Sequence, residues 1–314
     1  MPTPVKLSVV LPTHNPHPGR LHATLLGLSR QTLPVNAWEL LVVDNASQPA
    51  LTDLSPFPFT DQVHIVREPT LGLAHARRAG FRAARGDIVI LVDDDNVLAP
   101  DYLSHVVRLF AAHPELGVIG GPSRPDFEQP PAEWQHEFFG LLALRDLGPA
   151  PLIESLRSHP GHGAWDYPAC APIGAGMALR RTALTAWLDV VPSACLTDRR
   201  GTELTSGGDN DIVLALARAG WAVGYFPELA LIHIIPAGRL SPDYLARLNR
   251  GIQKSWMQVL TRHSANPWKP IPAWSVPLRE LKAWFTCRAW ASSAARIRWE
   301  GRRGHFAGRV STPR

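Results

Sequence analysis

The chain has 314 residues, of which 45% are hydrophobic and 19% charged, a globular composition that excludes wholesale disorder. The length allows one large or two medium domains with a full core. The formal charge of +5 is unevenly placed: from Arg279 onward nine Lys or Arg stand against two Glu, a net of +7 that leaves −2 for everything before it.

Lys6 to Leu11 reads as a first strand, stopped by Pro12-Thr13-His14-Asn15-Pro16. A helix from about Gly19 to Gln31 follows, with Leu21, Leu25 and Leu28 on one side. Glu39 to Val43 is a second strand that ends in Asp44-Asn45-Ala46-Ser47, and after a loop with Pro49, Pro56 and Pro58 a short third strand runs from Val63 to Val66. Leu73 to Ala84 is an alanine- and arginine-rich helix. The run Ile88 to Val92 is apolar and mostly β-branched, as in a strand buried on both faces, and it changes abruptly to Asp93-Asp94-Asp95. The order β-α-β-β-α-β predicts a mostly parallel sheet with right-handed crossovers and puts the three acids on its fourth strand.

Beyond them, a helix is expected from Asp101 to His113 and a strand from Gly117 to Pro122. Phe127 to Trp165 is rich in proline, glycine and histidine and reads as partly irregular. Strand character returns from Pro172 to Arg180, with glycines where a neighbour must approach closely. Thr182 to Leu188 is helical, and a polar loop from Thr197 to Gly208 leads into Asp209-Asn210-Asp211 and a helix from Ile212 to Ala219. Trp221 to Phe226 is a late strand. A second region, 241–314, carries two amphipathic, basic, tryptophan-rich helices, Tyr244 to Leu260 and Leu278 to Trp299. Such faces suit either packing on the preceding region or an anionic membrane, and no nucleic-acid-binding module is recognisable among them.

The three cysteines, Cys170, Cys195 and Cys287, are odd in number and widely spaced, against a disulfide framework and in favour of a reducing compartment. No secretory signal pattern precedes the first strand and no apolar run is long enough to span a bilayer. The expected location is the cytoplasm, with peripheral contact at the inner face of the plasma membrane as an option for the tail.

Acids delivered to the carboxyl edge of an open sheet lie where such sheets bind ligands, and hard oxygen donors suit Mg or Mn and the phosphates these ions carry. The triad alone also fits a plain loop start. Asp93-x-Asp95-x-Val97 further matches the D-x-D-x-[TV] signature of haloacid-dehalogenase-type phosphotransferases, but that signature lies on the first strand of its core, and here a complete α/β half comes first. The strand exit Pro12-Thr13-His14-Asn15-Pro16 lacks the glycine- and lysine-rich loop of a nucleotidyltransferase.

Five segments in order resemble the family 2 glycosyltransferases of the GT-A fold: Val9-Val10-Leu11-Pro12-Thr13-His14-Asn15, Leu41-Val42-Val43-Asp44-Asn45-Ala46-Ser47, Leu71 to Gly80, Asp93-Asp94-Asp95, and Ser206 to Ile212. The tail segments Gly238 to Ser241, Gly251 to Met257, Leu278 to Phe285 and Arg296 to Gly301 are similar to the hormogonium polysaccharide biosynthesis glycosyltransferases. The resemblance implies a GT-A catalytic domain over 1–240 with a helical extension over 241–314, and an inverting, metal-dependent transfer of sugar from a nucleoside diphosphate, with UDP-sugar first among donors, to a saccharide or lipid-linked acceptor in exopolysaccharide synthesis.

By the same resemblance Pro12, Thr13 and Asn15 cradle the nucleotide, Asp44 reads the base, Arg77 meets the diphosphate, and Asp93 and Asp94 belong to the donor site. Asp95, Asp93 and, at the end of a late strand, His233 are implied for Mn or Mg. Asp209 is the implied base, while Asp211 supports the helix start. Two departures stand out: Arg78 replaces the family's Asn and Gly208 its Glu. A same-fold protein that binds nucleotide sugar or polysaccharide without transfer is the alternative.

Overall fold

The computed structural model describes residues 5–54, 63–158, 165–190 and 204–310. Pro56, Pro58, His159, His162, Cys195 and the first part of the polar loop expected from Thr197 lie outside them.

The first half follows the expected order: β1 (Leu7–Thr13), α1 (Pro18–Ser29), β2 (Trp38–Asn45), β3 (Val63–Glu68), α2 (Leu73–Ala83) and β4 (Ile88–Leu91). β1, β2 and β4 are buried along their whole length, as strands covered on both faces must be. There follow β5 (Asn96–Leu98), α3 (Tyr102–Ala112), β6 (Leu116–Gly120), β7 (Ser123–Phe127), β8 (Leu152–Glu154), β9 (Arg157–Ser158), β10 (Trp165–Asp166), β11 (Ala178–Arg180), α4 (Arg181–Leu188), α5 (Gly208–Arg218), β12 (Ala222–Tyr225), β13 (Leu231–Ile235), α6 (Pro242–Arg262), α7 (Val276–Cys287) and α8 (Ser293–Gly308).

The main sheet has the order β3-β2-β1-β4-β11-β6-β12-β8. Only β11 and β8 run against the rest, so the sheet is mostly parallel. Alternate residues face alternate sides. Val9, Leu11, Val42 and Ile90 meet Leu25 and Val106 on one face, and Val10, Leu41, Val89 and Leu91 meet Phe81, Trp187 and Ile212 on the other. Register places Thr13 beside Asp44 and Val10 beside Leu91, so that β1, β2 and β4 all end at one edge. A small second sheet, β5-β13-β7, stands next to it and pairs His233 with Asn96.

Two expectations change. The strand expected over Pro172 to Arg180 forms only at Ala178–Arg180; before it, Gly176 has φ +72, and a Cβ there would meet Leu231 and the Tyr102 hydroxyl. The stretch expected to be partly irregular includes a 3-10 run, Glu133–Leu142. The single helix expected over Leu278 to Trp299 is two, because Arg288 turns left-handed (φ 52) after α7 and Ser292 caps α8 by accepting from Ala295 N–H.

Packing crosses the expected boundary at 240. Leu240, Leu245, Leu248 and Ile297 share one apolar cluster with Phe138, Leu142 and Ile235. Among the described residues, no helix is long and apolar enough to cross a membrane.

Candidate active site

The carboxyl ends of β1 and β4 open on a cleft of about 280 Å³ whose walls include Pro12, Thr13, Arg77, Asp93, Asp94, Asp95, Asp209 and His233. The triad leaves β4 in a turn closed by Asn96 N–H donating to the Asp93 carbonyl (3.0 Å) and the Asn96 Oδ1 accepting from Asp93 N–H (3.2 Å). The turn divides the acids. Thr13 Oγ1 donates to Asp94. Burial, helped by the Asp95 and Asp93 charges, pushes the Asp94 carboxyl up to about 6 against that hydrogen bond.

Asp95 is buried and faces the end of β13. The pairing of β13 with β5 sets this up: Ile234 N–H donates to the Asp95 carbonyl (2.9 Å), and the His233 Nε2 comes within 3.4 Å of Asp95 Oδ1. Arg239, from the 3-10 turn Ala237–Leu240, completes the group with Nη2 at 2.9 Å from Asp95 Oδ2 and Nη1 at 3.1 Å from His233 Nε2. A guanidinium only donates, so His233 Nε2 is the acceptor in this contact, which leaves Nδ1 as the other ring nitrogen. That Nδ1 is buried with no hydrogen-bond partner among the described residues. Burial disfavours the Arg239 charge, yet Asp95 leads the interactions that hold it above the ordinary range.

A carboxylate oxygen and an imidazole lone pair thus converge on a point now bridged by a cation, which is a donor set that fits a divalent ion. No three His, Cys, Asp or Glu residues among the described ones are grouped to hold a metal by themselves. Mg-type sites often draw one or two protein ligands and complete their shell from substrate phosphates and water.

At the exits of β1 and β2 the side chains are held by the fold. Asp44 is fully buried and does not line the cleft. Its Oδ1 accepts from Ser47 N–H (3.1 Å), and its Oδ2 accepts from Leu51 N–H (2.9 Å) and from Arg67. Burial raises the carboxyl, but these hydrogen bonds and the Arg67 charge leave it below the usual range. Asn15 joins the β1 and β2 exits: its N–H donates to Ser47 Oγ (2.9 Å) and its Oδ1 accepts from Gln48 N–H (2.8 Å). Asn45, by contrast, lines the cleft while its amide holds the loop before α2, donating to Thr70 O (2.7 Å) and accepting from Gly72 N–H (2.8 Å).

Arg77 and Asp209 lie side by side around Gly174. A Cβ on Gly174 would come within 2.8 Å of Arg77 Nη2 and 3.6 Å of Asp209 Cβ, so a larger residue would push the Arg77 guanidinium from its place beside Asp209. Gly174 N–H donates to Asp209 Oδ2 (3.1 Å) and Asn210 N–H to Asp209 Oδ1 (2.9 Å), which fixes the carboxylate and leaves each oxygen a second lone pair. Gly207 precedes α5, putting Asp209 and Asp211 in its first turn, where the helix dipole favours anions. Two positions apart on a helix of about 3.6 residues per turn, they point to nearly opposite sides. Asp211 is buried away from the cleft, accepting from Trp187 Nε1 (2.7 Å) and His263 Nε2 (2.8 Å), with Arg262 Nη1 at 3.5 Å.

Arg78, the departure from the family's Asn, also turns away. It donates to Leu188 O (2.8 Å) and stacks over Trp187 at 4.3 Å, locking α2 to the end of α4. Arg239 and Asn45, both inside segments that carry the resemblance, line the cleft without an implied role, as do His14 and Gly174. The segment Gly238 to Ser241 carries a resemblance but implies no role for Arg239, and only the meeting of β5 with β13 brings it to Asp95.

Comparison with known proteins supplies the context. The validoxylamine A glucosyltransferase of Streptomyces hygroscopicus subsp. jinggangensis is 31% identical over 159 residues, 48% of this chain and 37% of that one. The succinoglycan biosynthesis protein ExoW of Rhizobium meliloti is 32% identical over 111 residues (31% and 32%), and the glucosyl-dolichyl phosphate glucuronosyltransferase of Haloferax volcanii 28% over 91 (29% of each). The matches thus span about a third of the relatives' own length. Two solved structures share the fold: a mannosyltransferase from Pyrobaculum calidifontis in complex with GDP-Man and Mn2+ (TM-score 0.56, 21% identity, 96% of this chain and 73% of that chain) and S. aureus TarS in complex with UDP (0.51, 14%, 96% and 89%). The model of glycosyl transferase family 2 matches residues 8–187, more than half of the sequence, and the chain, with its GT-A fold, belongs to that family.

Proposed function

We propose that this chain is an inverting, cation-dependent glycosyltransferase that takes a sugar from a nucleoside diphosphate and gives it to a saccharide, free or lipid-linked. The observation that carries this reading is the presence in one cleft of two separate acid groups, Asp93 to Asp95 and Asp209, drawn together from distant parts of the chain. Asp209 takes the proton of the acceptor hydroxyl; its two backbone donors aim the carboxylate and leave it lone pairs for the task. In-line attack from that side inverts the sugar carbon. Arg77 offers a guanidinium to the diphosphate, and Thr13 with Asp94 closes the floor beneath it. Asp95 and His233, with Asp93 in the same cleft wall, would hold a Mn or Mg ion, which would neutralise the departing diphosphate. Arg239, which bridges Asp95 and His233, would have to move aside for it. Pro12 and Asn45 border the base, and Asp44 and Asn15 act one step back by fixing the loops that carry them.

The complexes of the two solved structures support a nucleotide-sugar donor and a divalent ion, and the name of the succinoglycan relative supports a role in exopolysaccharide synthesis. Gly208, where the family has Glu, favours one rival, a protein that binds the donor without transferring it. A screen of UDP- and GDP-sugars for binding and turnover with Mn2+ or Mg2+, on the parent and on Asp95→Ala, tests both. Cation-dependent turnover that Asp95→Ala loses is expected. Binding without turnover establishes the rival, and no binding of any donor refutes both.

A further inference from the structure

The tail of the chain contains an apolar surface that the fold leaves uncovered. α6 and α8 are absorbed into the protein, through the cluster of Leu245, Leu248 and Ile297 described above and through Met257, Val259 and Leu260 against Leu214 of α5. α7 is attached by one side only, with Ala283 buried and Trp284 packed edge-on against Trp299 of α8 at 4.7 Å. Its other side carries Leu278, Leu281 and Phe285, spaced three and four residues apart and hence in line on the helix. Trp274 precedes this line and Trp290, 5.9 Å from Phe285, ends it. All five are between 56% and 75% exposed, whereas large apolar side chains in a row are normally covered.

The borders of the line are basic. Lys282 and Arg279 follow one flank of the same helix and Arg288 stands at its end, all exposed, within the region of net charge +7. Two copies of such a region repel one another across a self-association, while an anionic bilayer attracts it. Tryptophans at both ends with leucine and phenylalanine between them also match the depth profile of a membrane interface. We infer that the outer face of α7 docks this protein on a bilayer surface rich in anionic phospholipid, with Leu278, Leu281 and Phe285 among the acyl chains and Lys282 and Arg279 among the headgroups. The inference is independent of the catalytic reading, since docking needs no turnover.

Co-sedimentation of the full chain with phosphatidylcholine vesicles, with and without phosphatidylglycerol, tests it. The parent should pellet with the anionic vesicles and release as salt rises from 0.1 to 1 M, where the Debye length shrinks from about 10 to about 3 Å. Leu281→Ser with Phe285→Ser should weaken partition at least about tenfold, given about 0.8 kcal/mol for each buried methylene. Lys282→Glu should weaken it about fivefold or more. Unchanged thermal unfolding shows that the variants remain folded, and these side chains are exposed, so it is expected. Failure of the parent to bind anionic vesicles, or equal binding by the double variant, overturns the inference. So does a parent dimer that the double variant converts to monomer, because a second copy then covers the face.

Discussion

Asp211 offers a sharp test of how the first turn of α5 divides its acids. Asp211→Ala removes a buried carboxylate that accepts from Trp187 and His263 and faces Arg262, tying α5 to α4 and α6 at one point. Deleting one partner of a buried, hydrogen-bonded charge pair costs about 3–5 kcal/mol, because the donors left behind are buried without acceptors. For a chain of this size each kcal/mol moves the melting temperature about 2–4 °C, so a fall on the order of 10 °C is expected at neutral pH. The pH dependence has a definite sign. Burial raises the Asp211 carboxyl, but the His263 and Trp187 hydrogen bonds and the Arg262 charge outweigh it and leave the folded value lowered. A lowered carboxyl contributes stability above its unfolded value of about 3.9, lost as pH falls through the folded value. The parent's lead over the variant should therefore hold at pH 5 and shrink below about pH 4. Circular dichroism melts across pH measure this, with nucleotide titration well below the melting temperature to confirm an intact cleft. A variant that melts within about 2 °C of the parent at pH 7, or a gap that widens in acid, refutes the reasoning.

Arg239→Met removes the guanidinium that a divalent ion has to displace from Asp95, a charge-assisted contact of about 1.5–3 kcal/mol; Mn2+ should bind at least about tenfold more tightly, read from the free-ion electron paramagnetic resonance signal, and weaker binding contradicts the assignment. Arg78→Asn, which restores the family's residue, should lower stability by about 1–3 kcal/mol through the lost contacts to Leu188 O and Trp187, with donor affinity unchanged in a calorimetric titration. A large loss of donor affinity would bring Arg78 back into the cleft.

The main sheet was legible because its signals are local: apolar runs of the right length, stopped by proline or by acids, in an alternating order. The cleft was legible for the same reason wherever a motif sits on one strand end, as at Thr13 and Asp93 to Asp95. What the sequence hides depends on contacts between distant segments. Arg239 reaches Asp95 only through the pairing of β5 with β13, and no spacing in the chain announces it. Asp44 carries the motif's residue type, yet the buried ladder and the β2 exit claim its oxygens first. The break at Arg288 was invisible to periodicity because the amphipathic pattern continues on both sides of a left-handed residue. Arg78 was noted as a departure, but its stacking partner Trp187 lies 109 positions away by number, beyond any local pattern.

The central claim is that the donor is held by one acid group and the proton is taken by another. Its most direct test is Asp209→Asn, assayed for transfer to an acceptor and, separately, for donor affinity in the presence of Mn2+. The account predicts transfer reduced about 10²–10⁴-fold with donor affinity within about threefold of the parent. Full transfer by Asp209→Asn, or loss of donor binding in step with transfer, contradicts it.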